Sequence, residues 1–305
     1  MPGIERKMID LQYHSPEELI KDKLFDQKQL TVCVKRDDLI HPFISGNKWR
    51  KLKYILRQAR SEEKNHLVTF GGAYSNHLLA TACAAARFGF KSTGIVRGED
   101  VANDTLTLCK LFGMNLRFTD RTEYRHKHAM FDKLFGADPG AFFIDEGGAG
   151  AEAVRGCSEM INELAGAYDH IFCASGTGTT AAGILKGLTE SGLSTTLHSV
   201  SVLKGGNFIR TEIEEHFESC PPFSLHLDYH FGGYAKTQPE LMKFIQGFSS
   251  STGILLDPVY TGKMFYALYD LVGKDHFLKG SRILAVHTGG LLGLLGMTKK
   301  INLSV

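Results

Sequence analysis

Apolar strand-like runs alternate with amphipathic helical stretches along almost the whole chain, and this alternation restricts the fold more than any other feature. Thr31–Lys35, Leu67–Phe70, Ser92–Val96, Asn115–Thr119, Ala141–Ile144, His170–Cys173, Leu197–Val202, Leu225–Phe231 and Arg282–Val286 read as strands. Between them Trp49, Leu52, Ile55, Leu56 and Ala59 recur at helical spacing. Asn103 precedes one helix as an N-cap, and Pro239 fits the first turn of another. Such an order implies parallel sheets covered by helices on both faces, an α/β fold. The 305 residues suffice for one large domain or two smaller ones. No repeat or linker divides them; the Gly-rich stretch Glu146–Gly150 is the best internal break.

Charge and cysteine usage exclude several classes of function. A net charge of +2 gives no electrostatic case for nucleic acid or an anionic membrane. No apolar run approaches the roughly 18 residues that span a bilayer, and Met1 to Leu30 is charged throughout, without the apolar core of a signal peptide. The six cysteines are scattered with no C-x-x-C, which points to reduced thiols in a cytoplasmic protein rather than a disulfide framework or a zinc site. His126 and His128 are two apart, on different faces of a helix, and are not expected to ligate a metal.

Two motifs carry chemistry. Ser45-Gly46-Asn47-Lys48 sets a lysine at the start of a helix just after a strand. A lysine that attacks an aldehyde must be neutral and held still. On its own, the basic run Lys48-Trp49-Arg50-Lys51-Leu52-Lys53 reads as an exposed helical face. The second motif, Ser175-Gly176-Thr177-Gly178-Thr179-Thr180, lies between a strand and the helix Thr179–Leu188, where backbone N–H groups and hydroxyls suit a phosphate dianion. Gly176-x-Gly178-x-x-Ala181 also matches a loose dinucleotide fingerprint, but the next strand ends Val202-Leu203-Lys204-Gly205 without the required carboxylate. A Walker P-loop fails because Met264 follows Gly262-Lys263. An amine plus a phosphate cradle suggests an enzyme that binds pyridoxal phosphate as a Schiff base.

Further turns follow other strands. Gly71-Gly72-Ala73-Tyr74-Ser75-Asn76-His77 leads into the Ala-rich helix Leu78–Arg87 and forms a second anion site suited to a substrate carboxylate. Ser75 equally fits a plain N-cap, and His77 an ordinary half-buried histidine. Tyr234 follows Phe231-Gly232-Gly233, and Tyr260 lies in Asp257-Pro258-Val259-Tyr260 ahead of a helix; loop tyrosines are mostly packing residues, although acid/base work is open to them. Thr288, before Gly289-Gly290, suits a neutral partner for a pyridine nitrogen.

These motifs, in this order, resemble the 1-aminocyclopropane-1-carboxylate (ACC) deaminase / D-cysteine desulfhydrase family of pyridoxal-phosphate enzymes. The resemblance runs from about Lys35 to Gly290 and rests on Lys35-Arg36-Asp37-Asp38, Gly46-Asn47-Lys48-x-Arg50-Lys51-Leu52, Gly71-Gly72-x-x-Ser75-Asn76, Gly176–Thr180, Asp257–Tyr260 and His287-Thr288-Gly289-Gly290. It implies the tryptophan-synthase-β-like architecture (fold type II): two domains, each with a largely parallel sheet flanked by helices, the cofactor between them, usually as a homodimer. The larger domain would take residues 1–49 and 156–305, and the smaller 50–155. It implies Lys48 as the Schiff-base lysine, Gly176, Thr177, Gly178, Thr179 and Thr180 on the phosphate, and Lys51 approaching it. Ser75, Asn76 and His77 would receive the substrate carboxylate, with Asn76 also near the cofactor phenolate. Tyr234 and Tyr260 would face the substrate, and the catalytic set would be Lys48, Ser75, Tyr234 and Tyr260.

The two family activities separate at the cofactor nitrogen. In the ACC deaminases the resemblance places Glu after the Asp-Pro-Val-Tyr tyrosine and Leu before the last Gly-Gly; this chain has Thr261 and Thr288, as in the desulfhydrases. A carboxylate keeps the pyridine protonated and makes the strong electron sink that breaking a C–C bond of ACC requires. A weaker sink suffices when thiolate leaves the β-carbon of D-cysteine. The implied reaction is therefore D-cysteine to pyruvate, sulfide and ammonia, with ACC deamination to 2-oxobutyrate as the alternative. A β-replacement enzyme lacks support from the paired tyrosines, and a non-catalytic cofactor-binding protein is opposed by the retained Lys48, Ser75, Tyr234 and Tyr260. His77 departs from the glutamine associated with ACC deaminases.

Overall fold

The structure is a computed structural model that describes residues 8–294. Residues 1–7 and 295–305, the ends of the expected larger domain, lie outside the described residues. The chain begins with β1 (Glu17–Leu19), α1 (Lys23–Lys28), β2 (Thr31–Lys35), α2 (Asn47–Ser61), β3 (His66–Gly72), α3 (Asn76–Phe88) and β4 (Lys91–Arg97). It continues with α4 (Asp104–Leu111), β5 (Asn115–Thr119), α5 (Lys127–Phe135), β6 (Ala141–Ile144), α6 (Ala151–Asn162), β7 (His170–Ser175) and α7 (Thr179–Glu190). The last elements are β8 (Thr196–Ser201), α8 (Phe208–Glu214), β9 (Ser224–His226), α9 (Pro239–Thr252), α10 (Thr261–Gly273) and β10 (Arg282–Val286).

The strands form two sheets, one ordered β1-β2-β10-β7-β8-β9 and the other β5-β4-β3-β6. Every neighbouring pair is parallel except β1 with β2. Four strands, β2, β5, β6 and β10, occupy the residues read from sequence. Two differ in kind. β9 stops at His226 because the chain turns before Phe231, whose φ of +51° no strand adopts. β1 is a short antiparallel edge strand whose Glu17-Glu18 carries no apolar signal. Asn103 caps α4 through its side chain, and Pro239 begins α9, as the sequence indicates.

The chain enters the four-stranded sheet through α2 and leaves it through α6, so positions 49/50 and 155/156 fall inside helices. Both faces of the six-stranded sheet are covered. Phe25, Leu241, Phe248, Phe265 and Leu268 pack on one side, and Ile161, Ile184, Leu188, Ile209 and Ile213 on the other. Each such buried side chain contributes about 1.5–3 kcal/mol relative to exposure. Around the smaller sheet, Trp49, Leu52 and Leu56 of α2 pack on Leu67 and Ala84.

The helices α2, α6 and α7 meet at glycines. A Cβ on Gly156 would lie 1.9 Å from the Arg50 carbonyl oxygen, one on Gly183 2.3 Å from Cys157 Cβ, and one on Gly187 2.5 Å from the Ser158 carbonyl oxygen. Backbones this close leave no room for side chains. The basic run on α2 also departs from its sequence reading. Arg50 and Lys51 are both 2% exposed. The Arg50 guanidinium donates to Asp37 at 2.6 and 2.7 Å and to Glu163 at 2.8 Å twice. Burial raises the Glu163 carboxyl, but the Arg50 hydrogen bonds outweigh it and bring the group down to about 2. The run looked solvated because its counter-charges come from elsewhere in the chain.

The glycine contacts make a stability prediction. Gly183→Ala should destabilise the protein by about 1–3 kcal/mol through overpacking. Gly247→Ala, inside α9 with nothing within 4 Å of the added carbon, should stabilise it by about 0.5–1 kcal/mol. Urea unfolding of the two variants reads both, and equal small effects would show that α6 and α7 are not in backbone contact.

Candidate active site

The loops after β2, β10 and β7 leave the carboxyl ends of three adjacent parallel strands, where open α/β sheets form their clefts. Lys48 starts from the first. Gly46 adopts φ +59°, and a Cβ there would lie 1.9 Å from the Thr288 carbonyl oxygen, so the turn requires glycine twice over. The Asn47 amide donates to that same carbonyl at 3.4 Å, while Asn47 Nδ2 donates to Thr180 Oγ1 at 2.9 Å. Asn47 thus ties the lysine turn to both neighbouring loops. Lys48 is half-buried. Burial, reinforced by the nearby Lys51 cation, brings its ammonium down to about 7, so a large fraction is neutral at ordinary pH.

After β7, Gly178 turns with φ +78° into α7, and no side chain caps that helix. Its first N–H groups are open to an anion, flanked by the Thr177 and Thr179 hydroxyls, 3.1 Å apart. The turn after β6 packs against this loop: a Cβ on Gly147 would touch Thr177 at 3.6 Å. Lys51 Nζ donates to the Gly147 carbonyl at 3.2 Å, which stations a second buried amine behind the cradle.

The turn after β3 supplies the opposite side. Ser75 Oγ accepts from the Leu78 amide at 3.3 Å, so Ser75 caps α3. Asn76 lies against the turn after β10, where a Cβ on Gly290 would come within 2.9 Å of Asn76 Nδ2. His77 is not half-buried, as its sequence context suggested, but 2% exposed. The Thr69 hydroxyl donates to the Ile144 carbonyl at 3.0 Å, so it accepts from His77 Nε2 at 2.8 Å. Its Nδ1 has no partner and sits near Gly148. Burial, and then Lys48 and Lys51, hold the ring well below its ordinary pKa and therefore neutral.

Tyr260 precedes α10, and its ring would contact a Cβ on Gly176 at 3.3 Å. Tyr234 is 48% exposed at the mouth of the cleft. The two rings meet edge to face, with centroids 6.1 Å apart. Burial raises both phenols, Tyr260 furthest, with Tyr234 and Asp257 adding to it. Both phenols are therefore held protonated at neutral pH.

Asp257 organises this corner, a role the sequence reading missed. It is 2% exposed; Oδ2 accepts from the Val259 and Tyr260 amides and Oδ1 from the Thr261 amide and hydroxyl, each at 2.8 Å. Acceptor and hydroxyl four residues apart at a helix start was the available signal. Thr261, expected at the cofactor nitrogen, instead fastens its hydroxyl to Asp257 and is fully buried. The Thr288 hydroxyl makes no hydrogen bond among the described residues and remains available.

Residues 14–289 match the family described as "Pyridoxal-phosphate dependent enzyme". The chain is 31% identical over 291 residues to the bifunctional D-cysteine desulfhydrase/1-aminocyclopropane-1-carboxylate deaminase, mitochondrial, of Arabidopsis thaliana, covering 86% of this chain and 72% of that protein. It is 30% identical over 303 residues to the 1-aminocyclopropane-1-carboxylate deaminase of Mesorhizobium japonicum, covering 88% and 89%. A solved structure of an ACC deaminase homologue superposes with a TM-score of 0.86 at 29% identity, covering 97% of this chain and 94% of that one.

The electrostatics of Lys48 are open to test in the cofactor-free protein. Arylation of Lys48 by fluorodinitrobenzene should be half-maximal near pH 7, against about 10.4 for an ordinary lysine. Lys51→Met removes a cation that favours the neutral amine, so the midpoint should move up. Peptide mass spectrometry over a pH series reads both, and a native midpoint near 10 (~10, the unperturbed value) would refute the depressed pKa.

Proposed function

The chain belongs to the family of pyridoxal-phosphate-dependent enzymes, and we propose that it is a deaminating lyase of small amino acids whose reaction is β-elimination from D-cysteine. Bound pyridoxal phosphate supplies an electron-poor ring that accepts charge from the substrate's α-carbon. The residues present fit that group. The uncapped start of α7, with Gly176, Thr177, Gly178, Thr179 and Thr180, would hold the phosphate, and Asn76 and Thr288 would flank the ring. Ser75 and the N–H groups at the start of α3 would bind the substrate carboxylate.

In this reading Lys48 Nζ, depressed to about 7, binds the cofactor between turnovers and takes the α-proton. The phenols of Tyr260 and Tyr234 stay protonated and donate to the departing sulfur. D-Cysteine and water yield pyruvate, hydrogen sulfide and ammonia. The observation that carries the choice of reaction is the state of Asp257. This carboxylate, beside the Gly290 turn, accepts four hydrogen bonds from its own loop. Thr288 is left to face the ring nitrogen, and a hydroxyl does not enforce protonation there. A modest sink suits thiolate departure better than C–C cleavage.

The proposal includes a homodimer in the cytoplasm, as the resemblance implies. The six cysteines are free thiols, which fits a reducing compartment. No helix among the described residues is long and apolar enough to cross a membrane.

The test is incubation of the purified holoenzyme with D-cysteine, L-cysteine and ACC, assaying sulfide and 2-oxoacids. Sulfide and pyruvate from D-cysteine, lost in Lys48→Ala together with the lysine-bound cofactor absorbance, are expected. Formation of 2-oxobutyrate from ACC, with D-cysteine inert, would overturn the Thr288 argument and establish the other activity.

A further inference from the structure

Lys263 sits on the first turn of α10, three residues after Tyr260, and is fully buried. Its ammonium donates to the carbonyls of His230 and Gly233, each at 2.8 Å, and of Val202 at 3.3 Å. Two physical costs oppose a cation there. Burying an ammonium among neutral acceptors is expensive, and the N-terminal end of a helix repels positive charge. Three convergent carbonyls offset part of this cost, and burial still brings the group down only to about 8, so it remains an ammonium at neutral pH.

Two of those carbonyls belong to the segment that carries Tyr234. That segment runs through Phe231 (φ +51°), Gly232 (φ +95°), Gly233 (φ +117°) and Ala235 (φ +53°). Left-handed conformations at non-glycine residues are unfavourable and persist only when the surroundings impose them. Inside the segment, the Gly233 amide donates to the His230 carbonyl and the Lys236 amide to the Gly233 carbonyl; outside it, Phe231 packs edge to face on Tyr266 of α10, and the Tyr229 hydroxyl donates to Asp270. Those anchors are side chains before the glycine pair; Lys263 ties down the main chain on either side of it, and its bond to the Val202 carbonyl joins it to the end of β8. The same helical turn fixes Tyr260 through Asp257.

We propose that Lys263 is a positioning residue: its ammonium clamps the strained turn that carries Tyr234 and so holds the Tyr234 ring edge to face against Tyr260. Its effect on turnover rests on the reading of Tyr234 given above; the clamp itself does not.

The experiment compares Lys263→Met, Tyr234→Phe and the double variant as holoenzymes, with D-cysteine, or with ACC if that is the amino acid turned over. Lys263→Met should lower kcat by roughly 100-fold, the scale of a misplaced catalytic group, with KM little changed. The double variant should turn over within about threefold of Tyr234→Phe alone, because both changes disable one device. Amide hydrogen exchange of the peptide spanning 228–236 should accelerate in Lys263→Met, with partial return in Lys263→Gln, which keeps amide donors. Multiplicative losses in the double variant, or unchanged exchange in that peptide, would overturn the proposal. If Lys263→Met does not fold, Lys263→Gln carries the same comparisons. If Tyr234→Phe turns over like the parent enzyme, the reading of the site fails, and exchange in the peptide still decides the clamp.

Discussion

Direct backbone contact among α2, α6 and α7 is the constraint on which the rest depends. Lys48 stands at the start of α2 and the phosphate cradle at the start of α7, and α6 is wedged between them. Gly156 brings α6 onto the α2 backbone; Gly183 and Gly187 bring α7 onto α6. The spacing of amine and cradle is therefore set by main-chain atoms, which do not change rotamer. Arg50 then fixes α2 against rotation, since its guanidinium reaches Asp37, just after β2, and Glu163, at the end of α6, together. A bidentate arginine at each contact defines an orientation as well as an attraction.

A second pattern follows from how the site handles charge. Lys51 donates to the Gly147 carbonyl and Lys263 to three carbonyls. Carbonyls satisfy an ammonium without cancelling its charge. Around the cleft this leaves buried positive potential, which favours a phosphate and a carboxylate; burial first, and then the nearby lysines, lower the Lys48 amine and the His77 ring. Acidic groups in the same region are treated in the opposite way. Asp257 is saturated with donors from its own loop and acts as a structural anchor for Tyr260.

The alternation of strands and helices, most strand positions and the chemical turns were legible because each depends on local patterning. What was not legible depends on partners distant in sequence. Arg50 looked solvated because Glu163 lies 113 residues away. His77 looked half-exposed because Thr69 and Gly148 close over it only in the folded chain. Thr261 had the right identity for a ring contact, yet a carboxylate four residues earlier captured its hydroxyl. Lys263 was weighed as part of a failed nucleotide motif, and nothing local reveals that its acceptors come from two other loops. The strand reading of Leu225–Phe231 failed where backbone conformation, rather than hydrophobicity, decided the outcome.

The position of β10 has a consequence for how the protein is made. This strand lies between β2 and β7 in the middle of the larger sheet, yet it is the last strand of the described chain. A ribosome delivers every strand of the four-stranded sheet in one uninterrupted stretch, from His66 to Ile144, long before Arg282 emerges. The smaller sheet can assemble during synthesis, while β2 and β7 wait with a gap between them. Closure of that gap completes the larger sheet and also brings Thr288 to Gly46. Nascent chains therefore carry the unpaired edge of β2 from early in synthesis and that of β7 from the moment it emerges, and the lysine turn takes its final shape only once β10 is in place.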